Sequence, residues 1–119
     1  YVKTTYTDAI LDREKKFPTG LPFKGYGVAL PHADCCHVNK PMIAIGILKT
    51  PIIFKNMGDA NQDVLVKIIF MLAMNKSDNQ LQLLSELTEN LQDVSLLEKL
   101  VHAETADKIT QIMSGRINI

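Results

Sequence analysis

The length, composition and charge of the chain exclude several classes of protein. Its 119 residues are 46% hydrophobic and 22% charged, which is ordinary for a single soluble globular domain. Thirteen basic residues balance thirteen acidic ones, whereas a surface for nucleic acid or anionic lipid requires a basic excess. The best candidate for a membrane span, residues 64–74, contains Lys67 and falls short of the roughly 18 apolar residues needed. We therefore expect no nucleic-acid partner and no direct insertion into a membrane.

The cysteines and the first residue bear on compartment and domain organisation. Cys35 and Cys36 are neighbours, and adjacent cysteines can form a disulfide only through a strained ring. Free thiols in a reducing compartment are the simpler interpretation, so we expect a cytoplasmic protein. The chain begins at Tyr1 without a secretory signal and already close to a helical pattern. We therefore expect one domain over residues 1–119, with the natural N-terminus missing.

The N-terminal half contains the patterns of a helix, a loop and several strands. Residues 1–16 have helical spacing with Thr7 as a possible cap, and Pro18 ends the helix because proline disfavours helical geometry at the preceding residue. Residues 17–27 are rich in proline and glycine, which predicts an irregular loop. The continuously apolar run 42–48 predicts a central strand buried on both faces. The predicted strands are 28–30, 42–48, 52–54 and 64–74.

The C-terminal third changes to a helical period. One apolar stripe predicts an amphipathic helix over about residues 79–91. Its members are Leu81, Leu84, Leu87 and Leu91. A second helix is expected to open at Asp93 or Ser95, and a third is capped by Thr105 and ended by Gly115.

The order of these elements predicts the fold class. A helix, then buried strands, then further helices imply a layered α/β fold, because each sheet face and each apolar helix stripe must be covered. We therefore predict a three-layer α/β/α sandwich. Its central sheet is expected to be mixed, mostly buried and of about five strands, with helices on both faces.

His32 is placed where a strand gives way to a loop. Residues 28–30 form the apolar end of the strand, and Pro31 ends its pairing because proline has no backbone N–H to donate. Functional residues favour loops carried on a rigid scaffold. A histidine at such a place can act as a nucleophile, a proton shuttle or a metal ligand, or can be a structural turn residue.

The residues around His32 leave two further types of chemistry open. His32, Asp34, Cys35, Cys36 and His37 carry side chains that bind metals, although structural zinc sites normally join two separated pairs of ligands. Consecutive ligands close a tetrahedron awkwardly. A cysteine nucleophile paired with His32 or His37 is the other alternative, and no oxyanion-hole signature accompanies it.

Arg13 is the cation best placed to meet a phosphate. Neither a dinucleotide fingerprint nor a Gly-Lys-Ser/Thr phosphate loop occurs, so we expect no nucleotide cofactor. Arg13 lies on the predicted helix just before the loop that leads to His32, and a guanidinium holds phosphate oxygens in bidentate fashion. The alternative is a solvated arginine within the charged run 12–16.

Two segments resemble one known family. They are residues 12–21, Asp-Arg-Glu-Lys-Lys-Phe-Pro-Thr-Gly-Leu, and residues 27–32, Gly-Val-Ala-Leu-Pro-His. Together they resemble the enzyme IIA domains of the fructose/mannitol class of the bacterial sugar phosphotransferase system. The resemblance runs from about Thr7 to Gly115. The Phe-Pro-Thr-Gly-Leu segment and the Pro-His-x-x-x-x-His pattern are most similar to the galactitol-specific branch.

The resemblance implies a role for four residues. His32 corresponds to the phosphorylated histidine, expected to react through Nε2, and Arg13 corresponds to the active-site arginine, with no metal or other cofactor required. Gln80 occupies the position of a second active-site histidine in mannitol-type members and could donate a hydrogen bond to the phosphoryl group. His37 is a further candidate for that second role.

The implied function is that of a phosphoryl carrier. The domain would accept a phosphoryl group from the histidine-containing phosphocarrier protein onto His32 and pass it to a IIB component, for uptake of galactitol or a related polyol. Within the same fold, the alternative is a regulatory IIA-like domain that senses phosphorylation. Outside it, the alternative is a metal-binding protein that uses the cluster from His32 to His37.

Overall fold

The computed structural model describes residues 1–117. These residues form four helices, a short 3-10 turn at Cys35–His37 and one sheet of four strands. The helices are α1 (Tyr6–Lys16), α2 (Ser77–Asn90), α3 (Val94–Val101) and α4 (Ala106–Met113). The strands are β1 (Gly20–Pro22), β2 (Gly27–Ala29), β3 (Met42–Lys55) and β4 (Asp63–Ala73).

The sheet is mixed, with the order β1-β2-β4-β3. β4 pairs parallel with β2 and antiparallel with β3, while β1 pairs antiparallel with β2. The described residues thus give four strands instead of the expected five, because residues 52–54 continue β3 past a register shift between Ile47 and Ile52. The expectation that residues 42–48 form a central strand is wrong, since β3 lies at the sheet edge and β4 occupies the centre. The predicted loop 17–27 contains β1.

The main core lies between the sheet and the three C-terminal helices. Alternate residues of β4, Ile68, Phe70 and Leu72, share one face and are fully buried. They pack against buried leucines from α2, α3 and the segment between them. These leucines are Leu83, Leu87, Leu91, Leu96, Leu97 and Leu100. The three C-terminal helices therefore pack against the strand beside which His32 lies.

The other sheet face is covered at one end by α1. Tyr6 and Ile10 of α1 form a small cluster with Ala73, which by strand alternation lies opposite Leu72. The Tyr6 hydroxyl also donates to the carbonyl of Leu72 at 2.7 Å. Farther along the same face, Leu65 is 61% exposed. The three-layer arrangement therefore stays a prediction.

Local signals located most helix ends correctly. Asp93 caps α3 by accepting from the Ser95 and Leu96 amides, and Thr105 caps α4. Thr7 is wrong as the first cap, because α1 begins at Tyr6 and leaves Thr7 inside the helix. Leu81 was expected in the core stripe of α2 but is exposed, because the buried stripe passes through Leu83 and Leu87 instead. Within residues 1–117, no helix combines the length and apolar character that crossing a bilayer requires.

Gly27 provides a test of the strand pairing that leads to the site. A methyl group added at Gly27 would overlap the carbonyl oxygen of Leu65, whereas one added at Gly46 would meet no atom within 4 Å. We expect Gly27→Ala to lower the free energy of unfolding by about 1–3 kcal/mol through overpacking. Gly46→Ala, the matched control, should leave it unchanged or raise it, because alanine has less backbone entropy to lose. Urea denaturation measures both, and equal stability of the two variants would contradict this register.

Candidate active site

His32 lies just past the end of β2, beside the central strand. The Pro31 carbonyl accepts a hydrogen bond from the Leu72 amide at 2.9 Å, and His32 itself forms an isolated parallel bridge with Leu72. The chain therefore stays hydrogen-bonded to β4 as far as His32, three residues after β2 ends. His32 is carried on fixed backbone, as the strand-end placement predicts.

The imidazole of His32 is held in one orientation. Its Nδ1 lies 2.8 Å from the carbonyl oxygen of Leu30, so Nδ1 carries the hydrogen and donates it. In the neutral ring, Nε2 then bears the free lone pair. The residue is 8% exposed.

His32 Nε2 remains open to solvent although the residue is buried. Within residues 1–117, the buried side-chain nitrogen and oxygen atoms without a hydrogen-bond partner are Arg13 Nε and Gln80 Oε1. His32 Nε2 is not one of them, and no hydrogen bond joins it to any of these described residues. The nitrogen able to act as a nucleophile is thus not fully enclosed by the protein.

Burial keeps this ring neutral. Desolvation is the largest influence and lowers the pKa of His32 below its ordinary value of 6.5. The hydrogen bond to Leu30 and the nearby carboxylates of Glu14 and Asp34 raise the pKa, while the positive charge of Arg13 lowers it, and the net shift is downward. At neutral pH the imidazole is therefore unprotonated on Nε2.

Arg13 lies in the last turn of α1, close enough to His32 to affect its pKa. The guanidinium lies over the Phe17 ring, 5.2 Å from its centroid, and Nη1 donates to Asp34 Oδ1 at 3.4 Å. Its Nε is buried and has no partner within the described chain. Arg13 thus has unused hydrogen-bonding capacity beside the histidine.

A hydrogen-bonded clamp ties the end of α1 to the strand that carries His32. The Glu14 carboxylate accepts from the Thr19 amide at 2.8 Å and from the Thr19 hydroxyl at 2.7 Å, and Thr19 is 2% exposed. The Thr19 carbonyl in turn accepts from the Leu30 amide at 3.4 Å. A chain of bonds therefore runs from the residue after Arg13 to the carbonyl that orients His32.

The other two candidate residues are placed less directly. His37 lines the same cleft of about 440 Å³ as Arg13 and Asp34, but its Nδ1 is 2.7 Å from the Thr5 hydroxyl. Gln80 lies in the first part of α2, and its side-chain carbonyl is buried without a partner in residues 1–117. The structure therefore brings Arg13 to His32 and gives neither Gln80 nor His37 a hydrogen bond to it.

The metal-binding alternative lacks a ligand set in the described part of the chain. Residues 1–117 contain no group of three or more His, Cys, Asp or Glu side chains arranged to hold a metal ion. Leu30 engages Nδ1 of His32, and Thr5 engages Nδ1 of His37. Cys35 and Cys36 are both free thiols.

Sequence reasoning missed three features of the site. Asp34 entered only as a metal-ligand candidate, although its position two residues after His32 was a signal that it lies near the ring. Phe17 appeared as the residue before Pro18 and as the start of the Phe-Pro-Thr-Gly-Leu segment, and its contact with Arg13 depends on how the helix ends. The clamp between Glu14 and Thr19 forms because the chain turns back after α1 and brings Thr19 to a residue five positions earlier, and no local pattern specifies that turn.

Comparison with known proteins identifies the class to which this fold and site belong. Residues 1–115 match the family model described as "Phosphoenolpyruvate-dependent sugar phosphotransferase system, EIIA 2". The chain belongs to this family, which is the fructose/mannitol class that the sequence resembles.

Relatives from three sugar branches are about equally similar. The chain is 30% identical over 122 residues to the mannitol-specific EIICBA component of Escherichia coli K12. That match covers 98% of this chain and 17% of the relative. It is 32% identical over 109 residues to the fructose-specific EIIA component of Haloferax volcanii, covering 90% and 66%. The galactitol-specific EIIA component of Escherichia coli K12 is 30% identical over 100 residues, covering 84% and 66%. The chain thus spans less than two thirds of these relatives.

A solved structure shares the fold. The complex of enzyme IIAMTL and phosphorylated enzyme IIBMTL from Escherichia coli superposes with a TM-score of 0.74 at 27% identity. The match covers 97% of this chain and 76% of that one.

The charges around His32 predict its titration. NMR should place the pKa of the wild-type imidazole below 6.5, and Arg13→Gln should raise it because a neighbouring positive charge is removed. Since the unfolded chain binds this proton at higher pH than the folded one, stability should fall as the pH drops below about 6.5. Lys16→Gln, on the same helix, is the control. A His32 pKa that does not respond to Arg13→Gln would separate the two residues.

Proposed function

We propose that this domain carries a phosphoryl group on His32 Nε2, taking it from the histidine-containing phosphocarrier protein and passing it to a IIB component. The observation that carries the proposal is a solvent-accessible, unprotonated Nε2 in a ring whose Nδ1 is held by Leu30, with Arg13 beside it. Membership of the EIIA family supports the same role.

The orientation of the ring supports attack through Nε2. The lone pair of Nε2 forms a new bond to phosphorus while the nitrogen–phosphorus bond of the donor phosphohistidine breaks, and the donor imidazole leaves. The proton on Nδ1 stays in place, held by the Leu30 carbonyl. The product is an N-phosphorylated imidazolium, from which neutral imidazole is a good leaving group when the phosphoryl group moves on through a loose transition state.

Arg13 supplies charge stabilisation in this mechanism. A phosphoryl group in transfer carries negative charge on three oxygens, and guanidinium N–H groups bind such oxygens in bidentate fashion. The terminal nitrogens of Arg13 make only the long bond from Nη1 to Asp34 within residues 1–117, which leaves N–H groups for this purpose. We assign Gln80 a supporting hydrogen bond from its amide to the phosphoryl group, and His37 a secondary role from the cleft that it lines with Arg13 and Asp34.

The partners and sugar are inferred from the relatives. The structural relative is a IIA enzyme in complex with phosphorylated IIB, which supports a IIB component as the acceptor here. The Phe-Pro-Thr-Gly-Leu and Pro-His-x-x-x-x-His patterns support galactitol or a related polyol, and the mannitol and fructose relatives are the competing branches. We place the domain in the cytoplasm, in keeping with its two free thiols.

Phosphorylation of single-residue variants tests the acceptor. Wild-type protein incubated with phosphoenolpyruvate, enzyme I and the phosphocarrier protein should gain the mass of one phosphoryl group, which His32→Ala should abolish. His37→Ala is the matched control and should still be phosphorylated. Mass spectrometry at neutral or alkaline pH preserves the labile product. Phosphorylation of His32→Ala at wild-type level would reject His32 as the acceptor.

A second test concerns Arg13. Arg13→Ala should slow phosphoryl transfer by about one to three orders of magnitude while the fold is kept, in the range seen for loss of one charge-stabilising donor. Rapid-quench measurement of transfer from the phosphocarrier protein gives the rate. Arg116→Ala removes the other arginine, which pairs with Asp93 instead, and should transfer at the wild-type rate. Equal rates for the two variants would remove Arg13 from the site.

A further inference from the structure

Asp34 contacts the active-site arginine, and the phosphoryl-carrier mechanism gives it no role. Its Oδ1 lies 3.4 Å from Arg13 Nη1, and its side chain is 76% exposed against 34% for that of Arg13. An ion pair of this length and exposure contributes little to stability. Its position two residues after His32 puts a negative charge close to the place where a phosphoryl group would add two further negative charges.

The guanidinium of Arg13 makes few hydrogen bonds within the described residues. Within residues 1–117 its guanidinium has the single long hydrogen bond to Asp34, its face lies over Phe17, and Nε is buried without a partner. A guanidinium has five N–H donors, and a phosphoryl group offers three acceptor oxygens. A phosphoryl group on His32 can therefore compete successfully with Asp34 for Arg13.

We propose that Asp34 is a positioning residue that holds Arg13 when His32 is unmodified and yields it when His32 is phosphorylated. The inference rests on the proposed phosphoryl-carrier function. As the donor's nitrogen–phosphorus bond breaks and the Nε2–phosphorus bond forms, the Arg13 hydrogen bond moves from the Asp34 carboxylate to a phosphoryl oxygen. Asp34 then repels the phosphoryl group and competes for its counter-ion. This competition keeps the group transferable to the next protein.

Removal of the Asp34 charge should change the two directions of transfer in opposite ways. Asp34→Asn removes the attraction between Asp34 and Arg13 in the unphosphorylated state. It also removes the repulsion between Asp34 and the phosphoryl group in the phosphorylated state. Both changes favour the phosphorylated form. We expect the equilibrium constant for phosphorylation of His32 to rise about three- to tenfold, the scale of one partly exposed charge interaction. Donation to the IIB component should slow by a similar factor.

The experiment compares Asp34→Asn with Asp12→Asn. Asp12 lines the same cleft, and within residues 1–117 its carboxylate forms no ion pair with the Arg13 guanidinium. The phosphorylated fraction at equilibrium with the phosphocarrier protein is measured by 31P NMR, and donation to IIB by rapid quench. Phosphoramidate, a small phosphoryl donor, repeats the first measurement without a docking partner. Asp34→Ser serves as a second variant that also removes the charge.

A separate readout excludes a merely structural effect. Arg13, Glu14 and Asp34 are the charged groups that influence the pKa of His32, and Asp34 raises it. Asp34→Asn should therefore lower the imidazole pKa while leaving the unfolding midpoint unchanged. General loosening of the site would not lower the pKa, raise phosphorylation and slow donation together.

The outcomes separate this inference from the function on which it rests. Absence of phosphorylation at His32 in wild-type protein overturns both. Normal wild-type phosphorylation, with Asp34→Asn behaving as Asp12→Asn, overturns the role of Asp34 alone. A lower phosphorylation equilibrium in Asp34→Asn and Asp34→Ser also overturns it, because the carboxylate would then assist the phosphorylated state. A raised equilibrium with slower donation in both variants supports it.

Discussion

The main chain of Leu30 is the constraint on which the site depends. Its amide donates to Thr19, and its carbonyl accepts the proton of His32 Nδ1. The second bond selects the tautomer and leaves the lone pair on Nε2. In the proposed mechanism, the proton that it keeps on the ring makes the ring a better leaving group. Because Leu30 itself is fully buried against the main core, the carbonyl cannot move without disturbing the packing of the sheet. The orientation of a reactive ring is thus fixed by an apolar residue.

The first helix carries Arg13, the second residue of the proposed mechanism, and is held near both ends. The Tyr6 hydroxyl binds the Leu72 carbonyl, and the Glu14 carboxylate grips Thr19. Both attachments lead to the backbone around His32, since the Leu72 amide donates to Pro31 and the Leu30 amide donates to Thr19. A short helix with few core contacts can therefore present a guanidinium at a defined place. Arg13 lies between those attachments, and its only ion-pair partner within residues 1–117 is an exposed carboxylate.

Sequence reasoning succeeded where the signal is local and failed where it depends on distant partners. The caps at Asp93 and Thr105 were predicted because a side-chain oxygen satisfies amides two or three residues away. The position of β3 was missed, because an apolar run of this kind fits a central strand as well as an edge strand, and only pairing decides. The proximity of Arg13 and His32 was predicted from the loop that joins them and from the family resemblance, whereas the bond between Arg13 and Asp34 depends on how α1 folds back. The catalytic roles of His32, Arg13, Gln80 and His37 stay predictions.

The placement of β3 at the rim of the sheet has a consequence for solubility. A long outer strand offers unpaired amides and carbonyls to a second chain, which invites fibre-like growth. Here the register breaks between Ile47 and Ile52, and Pro51 within that break has no amide hydrogen to offer. Lysines at positions 49 and 55 add positive charge along the same stretch. The irregularity therefore divides a fourteen-residue ribbon into two short pieces, neither of which is a good template for polymerisation.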